Sequence, residues 1–578
     1  MEKSNNYKGD SMESPNTSSL DKSTEFSEVA YETSSSTQPN AWTNFKDSFK
    51  KPVEQEITTD LESDGTRKPA PALKQTLKKR QLQMIALGGC VGSGLLVASG
   101  LALRNGPAAV LIAWAIVSSF LYCTMQSLAE LSAAYPVSGS FATYSIKFID
   151  PSWGFAMGWN YALFWVIVLP LELVACAMTI NYWQSSVNTA VWIAIFYVVI
   201  YGLNLCGNRG FGETEFYASI IKLLGIVGFN ILAIILICGG GDQGYIGVKN
   251  YHPPFTTGFK GVVSVLLTAT YSLAGTELVG LTSAESEGNP RKVMPKAIKQ
   301  VVWRIIIFYM LTLTLIGFLV PAGSQELIGG SGVSASPFVI AIRQGGIKVL
   351  PSIFNVIVLV ALFAIGNSAV YGFSRTILAL AEQDLAPSIF SYVDRNGRPL
   401  VGITASAIIG LLSFVSASKY ADTVFAWLVA LSGLSTLFTW GSINAAHIRF
   451  RCAMKAQERS LDELPYLSNT GVWGAYYGLI ANIVVLALQF WLALFPIGAK
   501  PSAVAFFQTY LAFFIVVFFY VAHKLWTRNW KLFIRAKDID VDGGRKETDI
   551  ELLRQEIQEE KENLRRQPLY YRIYAFWC

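Results

Sequence analysis

Two glycine-marked interruptions in otherwise apolar stretches supply the chemistry of this chain. In Ala86–Gly100 (ALGGCVGSGLLVASG), Gly88, Gly89, Gly92 and Gly94 interrupt the first long apolar run. Glycine costs up to about 1 kcal/mol relative to alanine at each helical position, so the run makes a poor continuous helix. The second interruption is Tyr271–Glu277, Tyr-Ser-Leu-Ala-Gly-Thr-Glu, inside Gly261–Leu281. A helix that restarts after the first break offers the N–H groups of Gly92, Ser93, Gly94 and Leu95, with its positive dipole end, to a carboxylate. Carbonyls ending the helix before the second break, near Tyr271, Ser272 and Leu273, suit an ammonium group. One cradle of each kind would recognise the backbone of an α-amino acid without reading its side chain. Glycine also serves close helix packing. Two breaks five spans apart favour the site reading, because paired discontinuous spans at matching places mark a transporter's substrate site.

Charged side chains within apolar spans are costly and are functional candidates by default. Glu172 follows Leu169-Pro170-Leu171, Lys222 lies in Ala218–Lys222, and Glu277 follows the second break. All three are candidates for proton coupling; the alternative for each is a structural hydrogen bond between spans. Glu130 and Arg375 sit nearer span ends, where a structural role is expected. Among the aromatics Tyr271, Phe164, Trp165, Trp427 and Trp440, only Tyr271 stands out, by its place in the break. No carboxylate is evident beside a side-chain pocket expected around Asn367, Ser368 and Ser432, which favours neutral substrates.

Long helices must position these groups. At roughly twenty apolar residues per crossing, the sequence reads as an all-α polytopic membrane protein of about twelve spans: Gln83–Leu103, Ala108–Leu131, Gly154–Tyr182, Thr189–Leu205, Phe216–Ile237, Gly261–Ser283, Val301–Val320, Pro351–Leu380, Leu400–Ser416, Thr423–His447, Val472–Leu494 and Val504–Leu525. Connections after even-numbered spans carry more Lys and Arg (Arg209, Arg291, Lys292, Arg395, Arg398, Arg449 and Arg451 among them) than those after odd ones. That places both termini in the cytoplasm. The basic stretch within Ser283–Lys299 and the turn at Asp394–Gly397 read as cytoplasmic hinges or connectors.

The whole composition agrees. Of 578 residues, 52% are hydrophobic and only 15% charged, with mean hydropathy +0.39; a soluble domain carries about a quarter charged residues. The net charge of +6 is spread over loops and tails and points to membrane orientation rather than nucleic acid. Seven cysteines, mostly within spans, make no disulfide framework, and three histidines without HExxH or CxxC spacing make no metal site. No cofactor is expected. Residues Met1 to about Pro71, rich in Ser, Thr, Glu and Lys, read as a disordered tail open to phosphorylation. Lys531–Arg566 reads as an exposed amphipathic helix, and Cys578, beside interfacial aromatics, as a palmitoylation candidate. The resulting organisation is a tail over 1–80, a ten-helix core over 81–447 with repeats 81–237 and 259–447, a loop and two helices over 448–525, and a tail over 526–578.

Several segments together resemble the fungal amino-acid permeases of the amino acid–polyamine–organocation superfamily: GGCVGSGLLVASG, LPLELVACAMTINYW, EFYASIIKLLG, AGTELVGLTSAESEGNPRKVMPKAIKQV, SPFVIAIRQGGIKVLPS, LSGLSTLFTWGSI and the terminal FWC. The likeness runs from Thr76 to Cys578 and is greatest to the broad-specificity general permeases. It implies a LeuT-like fold of two inverted five-span repeats, helices 1 and 6 broken, plus two further helices. It implies proton-coupled uptake of L-amino acids at the plasma membrane. Gly92, Ser93 and Gly94 would hold the substrate carboxylate; Tyr271, Ser272, Ala274 and Gly275, with Thr276 in the same break, would line the amine side and gate. Lys222 matches the lysine assigned to proton coupling. The resemblance further implies ubiquitin-ligase partners acting at Lys3, Lys8 or Lys22, and lipidation at Cys578. The chain departs from the general permeases at Phe164, where they carry Gln, at Cys90 and Val91, and in a shorter Gly239–Phe259 loop. The alternatives to broad-range symport are a narrower permease for basic amino acids or an amino-acid conjugate, and a transporting nutrient receptor; no enzyme constellation is present.

Overall fold

A computed structural model describes residues 48–50, 81, 84, 91–137, 139–281, 298, 308–329, 336–417, 421–545, 550–569, 571 and 572. The first eleven expected spans appear among them as helices, as does the twelfth. They are α1 (Gly94–Leu103), α2 (Pro107–Ala134), α3 (Pro151–Ile180), α4 (Thr189–Leu205), α5 (Gly207–Ile237), α6 (Gly258–Leu281, broken), α7 (Phe308–Leu319), α8 (Leu350–Glu382), α9 (Leu400–Gly410, continued as a 3-10 helix to Ala417), α10 (Ala421–Ala456), α11 (Gly471–Leu494) and α12 (Ala503–Thr527). No strand occurs among the described residues. This is a polytopic all-helical membrane protein.

The packing has a two-fold plan. The most extensive helix contact is between α3 and α8. Helix α3 also packs on α4, α9 and α10, while α8 packs on α9, α4 and α5. Exchanging each of helices 1–5 with the helix five places later (α3 with α8, α4 with α9, α5 with α10) turns one set into the other, as two five-helix repeats require. By contrast α12 buries only 17% of its apolar window, against 83% for α6. The last helix therefore spends its Phe and Val side chains on lipid, where no water drives them inward.

Several boundaries differ from the expected ones. Helix α5 begins at Gly207 rather than Phe216, and α10 runs on to Ala456 rather than stopping at His447. Hydropathy marks where lipid contact ends, but a helix continues for as long as its charged residues find partners. Arg451 pairs with the buried Glu130 at 2.6 Å, His447 approaches the same carboxylate at 3.0 Å, and the Ser468 N–H donates to it at 2.7 Å. Glu130 thus has the structural role expected of it. Short helices at Phe141–Phe148 and Pro337–Gln344 were not foreseen.

The C-terminal expectation needs correction. Among the described residues of Lys531–Arg566, the helix covers Ile550–Arg566, and residues 531–545 form an irregular strap. Ile539 and Val541 are buried, the Ile534 N–H donates to the Ile149 carbonyl at 2.9 Å, and the Tyr135 hydroxyl donates to the Val541 carbonyl at 2.6 Å. Arg459 pairs with Asp542 at 2.7 Å and Arg545 with Glu463 at 3.0 Å. These tertiary partners outweigh the local helical pattern. The Gly543 N–H and nearby Lys147 hold the Asp540 carboxyl below its usual range. The Asp394–Gly397 turn is present, with the Gly397 N–H donating to the Asp394 carbonyl at 2.9 Å. Lys3, Lys8, Lys22, Cys578 and nearly all of Ser283–Lys299 lie outside the described residues.

Candidate functional site

Both interruptions exist, built differently. At the first, Val91 and Gly92 are non-helical and a short π-helical turn, Gly94–Ala98, restarts the chain before regular helix resumes at Ser99. The Leu96 N–H returns to the Gly92 carbonyl at 2.9 Å. The N–H groups that open the restarted helix have no acceptor within it. Gly94 is required by contact: a Cβ there would stand 2.4 Å from the Ser272 Cα, so α1 and α6 touch backbone to backbone.

At the second, helix ends at Leu273 and resumes at Leu278. Ala274 is extended and Gly275 has φ +88°, a value that favours glycine. The carbonyls expected to face an ammonium are already engaged once each. That of Tyr271 accepts the Ala274 N–H at 3.2 Å, that of Ser272 the Tyr309 hydroxyl at 2.9 Å, and that of Leu273 the Thr276 hydroxyl at 2.7 Å. Glu277 serves the break itself, accepting from the Gly275 N–H at 3.2 Å and from Trp440 Nε1 at 3.1 Å.

Glu172 joins the two breaks. It is buried on α3, just beyond Pro170. Its Oε1 accepts the Ser93 hydroxyl at 2.5 Å and the Tyr271 hydroxyl at 3.2 Å, and those two hydroxyls lie 2.6 Å apart. Its Oε2 is buried with no hydrogen-bond partner among the described residues, and so is Trp165 Nε1. A buried polar atom left without a partner costs about 1–3 kcal/mol, so both atoms favour a ligand that bonds them. Glu172 and Trp165 line a tight cavity of about 20 Å³ together with Ser93, Gly94, Phe164, Val168, Tyr271, Ala274 and Ile365. That is room for about one water molecule.

Of the sequence-derived site residues, the cavity therefore gathers Ser93, Gly94, Tyr271, Ala274 and Glu172, with the aromatics Phe164 and Trp165. Gly92, Leu95, Ser272, Leu273, Gly275 and Thr276 support the breaks without lining it, among the described residues. Lys222 lies elsewhere, paired with Glu215 at 3.1 Å. The expected side-chain pocket is corrected. Asn367 accepts from Asn204 at 2.8 Å, Ser368 donates to Glu215 at 3.3 Å and Ser432 to the Leu428 carbonyl at 2.8 Å. From α8 the cavity takes Ile365 instead. A carboxylate stands in the cavity (Glu172) and another beside Ser368 (Glu215), so the argument for neutral substrates from missing carboxylates falls. Glu215 escaped notice because the hydropathy edge at Phe216 excluded it; its seven-residue spacing from Lys222, two turns on one helix face, was the available signal.

The sequence matches the family described as Amino acid permease over residues 81–536. This chain belongs to the amino acid permease family. It is 72% identical to Amino-acid permease GAP6 of Candida albicans over 551 residues, 94% of this chain and 96% of that protein. It is 52% identical to General amino-acid permease GAP1 of Saccharomyces cerevisiae over 552 residues, covering 93% of this chain and 92% of that one. Among solved structures, a manganese transporter of Eremococcus coleocola aligns with TM-score 0.50 at 15% identity, covering 78% of this chain and 93% of that one, a likeness of fold alone. The permease is a multi-pass membrane transporter of amino acids with the LeuT-like arrangement of broken first and sixth helices, and its relatives are permeases rather than enzymes.

Proposed function

We propose that this permease takes up L-amino acids across the plasma membrane together with protons, over a broad side-chain range. The observation that carries the reading is the meeting of both broken helices on one buried carboxylate, Glu172, at the wall of a small cavity. The N–H groups around Ser93 and Gly94 take the substrate carboxylate. Glu172 Oε2, with the Ala274 side of the α6 break, takes the ammonium group. Phe164, Val168 and Ile365 contact the side chain and exclude water.

A protonated Glu172 still accepts from the ammonium group through its carbonyl oxygen, so one carboxyl is able to carry proton and substrate together. The second coupling group is Lys222. Each charge moved inward gains about 2.3 kcal/mol per 100 mV of membrane potential. The ten-helix core spans 81–447 in two repeats, 81–237 and 259–447, and both tails lie in the cytoplasm, where Lys3, Lys8 and Lys22 meet ubiquitin ligases and Cys578 is lipidated.

Labelled amino-acid uptake in cells, with and without a protonophore, tests the reading. Accumulation above the external concentration that collapses with the proton gradient is the expected result; equilibration alone, indifferent to the protonophore, refutes coupling. The acidic cavity wall favours one narrower reading, a preference for basic amino acids. Competition by a panel of amino acids against one labelled substrate separates the two.

A further inference from the structure

We propose that Glu215 is the positioning residue for proton coupling: it holds the Lys222 ammonium on α5 and links its charge state to α8. The inference rests on the coupling role given to Lys222 above. Glu215 and Lys222 are both buried, 0% and 2% exposed. A lysine so placed is costly unless it has an anionic partner. Lys222 Nζ meets Glu215 Oε1 at 3.1 Å, while Glu215 Oε2 accepts the Ser368 hydroxyl of α8 at 3.3 Å. One turn along α5, the Ser219 hydroxyl donates to the carbonyl of Met84, in the chain leading to the first break, at 3.0 Å. Its oxygen also lies 3.5 Å from Glu215 Oε1. The carboxylate thus sits where α5, α8 and the approach to α1 converge.

The charged and titratable groups around the pair are few. Helix α3 brings Glu172, whose carboxyl feels the Lys222 charge. Helix α5 also carries Glu213, which accepts from Gln81 at 2.9 Å. Helix α8 brings only neutral groups, Ser368 and Asn367, among the described contacts. With Lys222 protonated, the pair is neutral overall and Glu215 stays bound to both partners. When the proton leaves Nζ, Glu215 loses the cation that compensates it among the described residues, and it stays tethered by the α8 hydroxyl of Ser368 and, more weakly, by Ser219 of its own helix. Proton loss is thereby converted into a change of force between α5 and α8, and α8 lines the cavity through Ile365.

The test uses the full-length permease in cells, with surface level and protection from thermal unfolding by L-leucine as checks of folding. Accumulation of labelled L-leucine is measured from external pH 4 to pH 8. Removing an opposite charge at this distance lowers a lysine's proton affinity by about one to three pH units. Glu215→Gln is therefore expected to move the pH profile to lower pH by about one unit or more, and to cut accumulation at least about tenfold while L-leucine protection persists. Glu215→Asp should restore part of both. Ser368→Ala keeps the ion pair and should give a smaller loss of accumulation. A folded Glu215→Gln variant that accumulates like the parent with an unmoved profile overturns the proposal. Should that variant not reach the surface, an unmoved profile in Glu215→Asp together with parental accumulation in Ser368→Ala overturns it equally. A parent protein whose own uptake ignores pH and protonophore instead overturns the coupling reading on which this one stands.

Discussion

The two breaks solve the same problem in opposite ways. In α6 the backbone freed by the interruption is satisfied by protein: Thr276, the Ala274 N–H and Glu277 of the break itself and Tyr309 of α7 all close on it. In α1 the restarted helix makes no side-chain cap, because the Ser93 hydroxyl turns to Glu172 instead. Orphan donors at a buried helix start require some acceptor. The α1 break is therefore the open half of the site and the α6 break the rigid half, with Glu172 between them. An irregular backbone in a membrane is tolerable only where protein or a cavity satisfies it; here each break uses one of those two options.

Substitutions can break that contrast. The largest effect is expected from Gly94→Val, which drives side-chain atoms into the α6 backbone at Ser272. Overpacking of this kind costs about 1–3 kcal/mol, and it also fills the cavity wall. Uptake should vanish and the melting temperature of purified protein should fall; a Gly94→Val protein that transports normally would remove the close approach of α1 and α6 from the argument.

Next is Glu172→Gln, which keeps the side-chain size and removes the charge shared by both breaks. Hydrogen bonds to a charged group contribute about 1.5–3 kcal/mol, so L-leucine accumulation should fall at least tenfold. Persistence of protonophore-sensitive accumulation at the parent level would show that the ammonium and the proton are held elsewhere.

Tyr271→Phe deletes one donor to Glu172 and leaves the ring. A few-fold rise in the KM for uptake is expected, in line with the loss of about 1 kcal/mol. The smallest transport effect belongs to Thr276→Val. It removes the bond to the Leu273 carbonyl inside the self-satisfied break, so thermal stability should drop by about 1 kcal/mol while KM stays near the parent value. A larger KM change for Thr276→Val than for Tyr271→Phe would reverse the assignment of open and rigid halves.

Much of this was legible without coordinates. Glycine content located both interruptions, and Tyr271, Ser93 and Gly94 fell where the cavity is. Reading failed where a partner distant in sequence decides the outcome. The strap over 531–545 has helical patterning but is held by Tyr135, Gln457 and Glu463. Glu215 looked like a loop residue because its cost is offset by Lys222 and Ser368, which no hydropathy window registers. Glu277 is bonded by Trp440 and by the Gly275 N–H, and the Trp440 partner lies too far along the chain for any sequence pattern to name.

The sequence by itself determined that the chain crosses a membrane about a dozen times as helices, since only apolar, internally hydrogen-bonded segments survive in lipid. It also determined where two of those helices break, because glycine's backbone cost is local. Which buried charges face a cavity and which are paired away was decided by tertiary structure alone. Glu172, Glu277 and Glu215 are alike in chemistry and in burial, and they differ only in what packing brings to their oxygens.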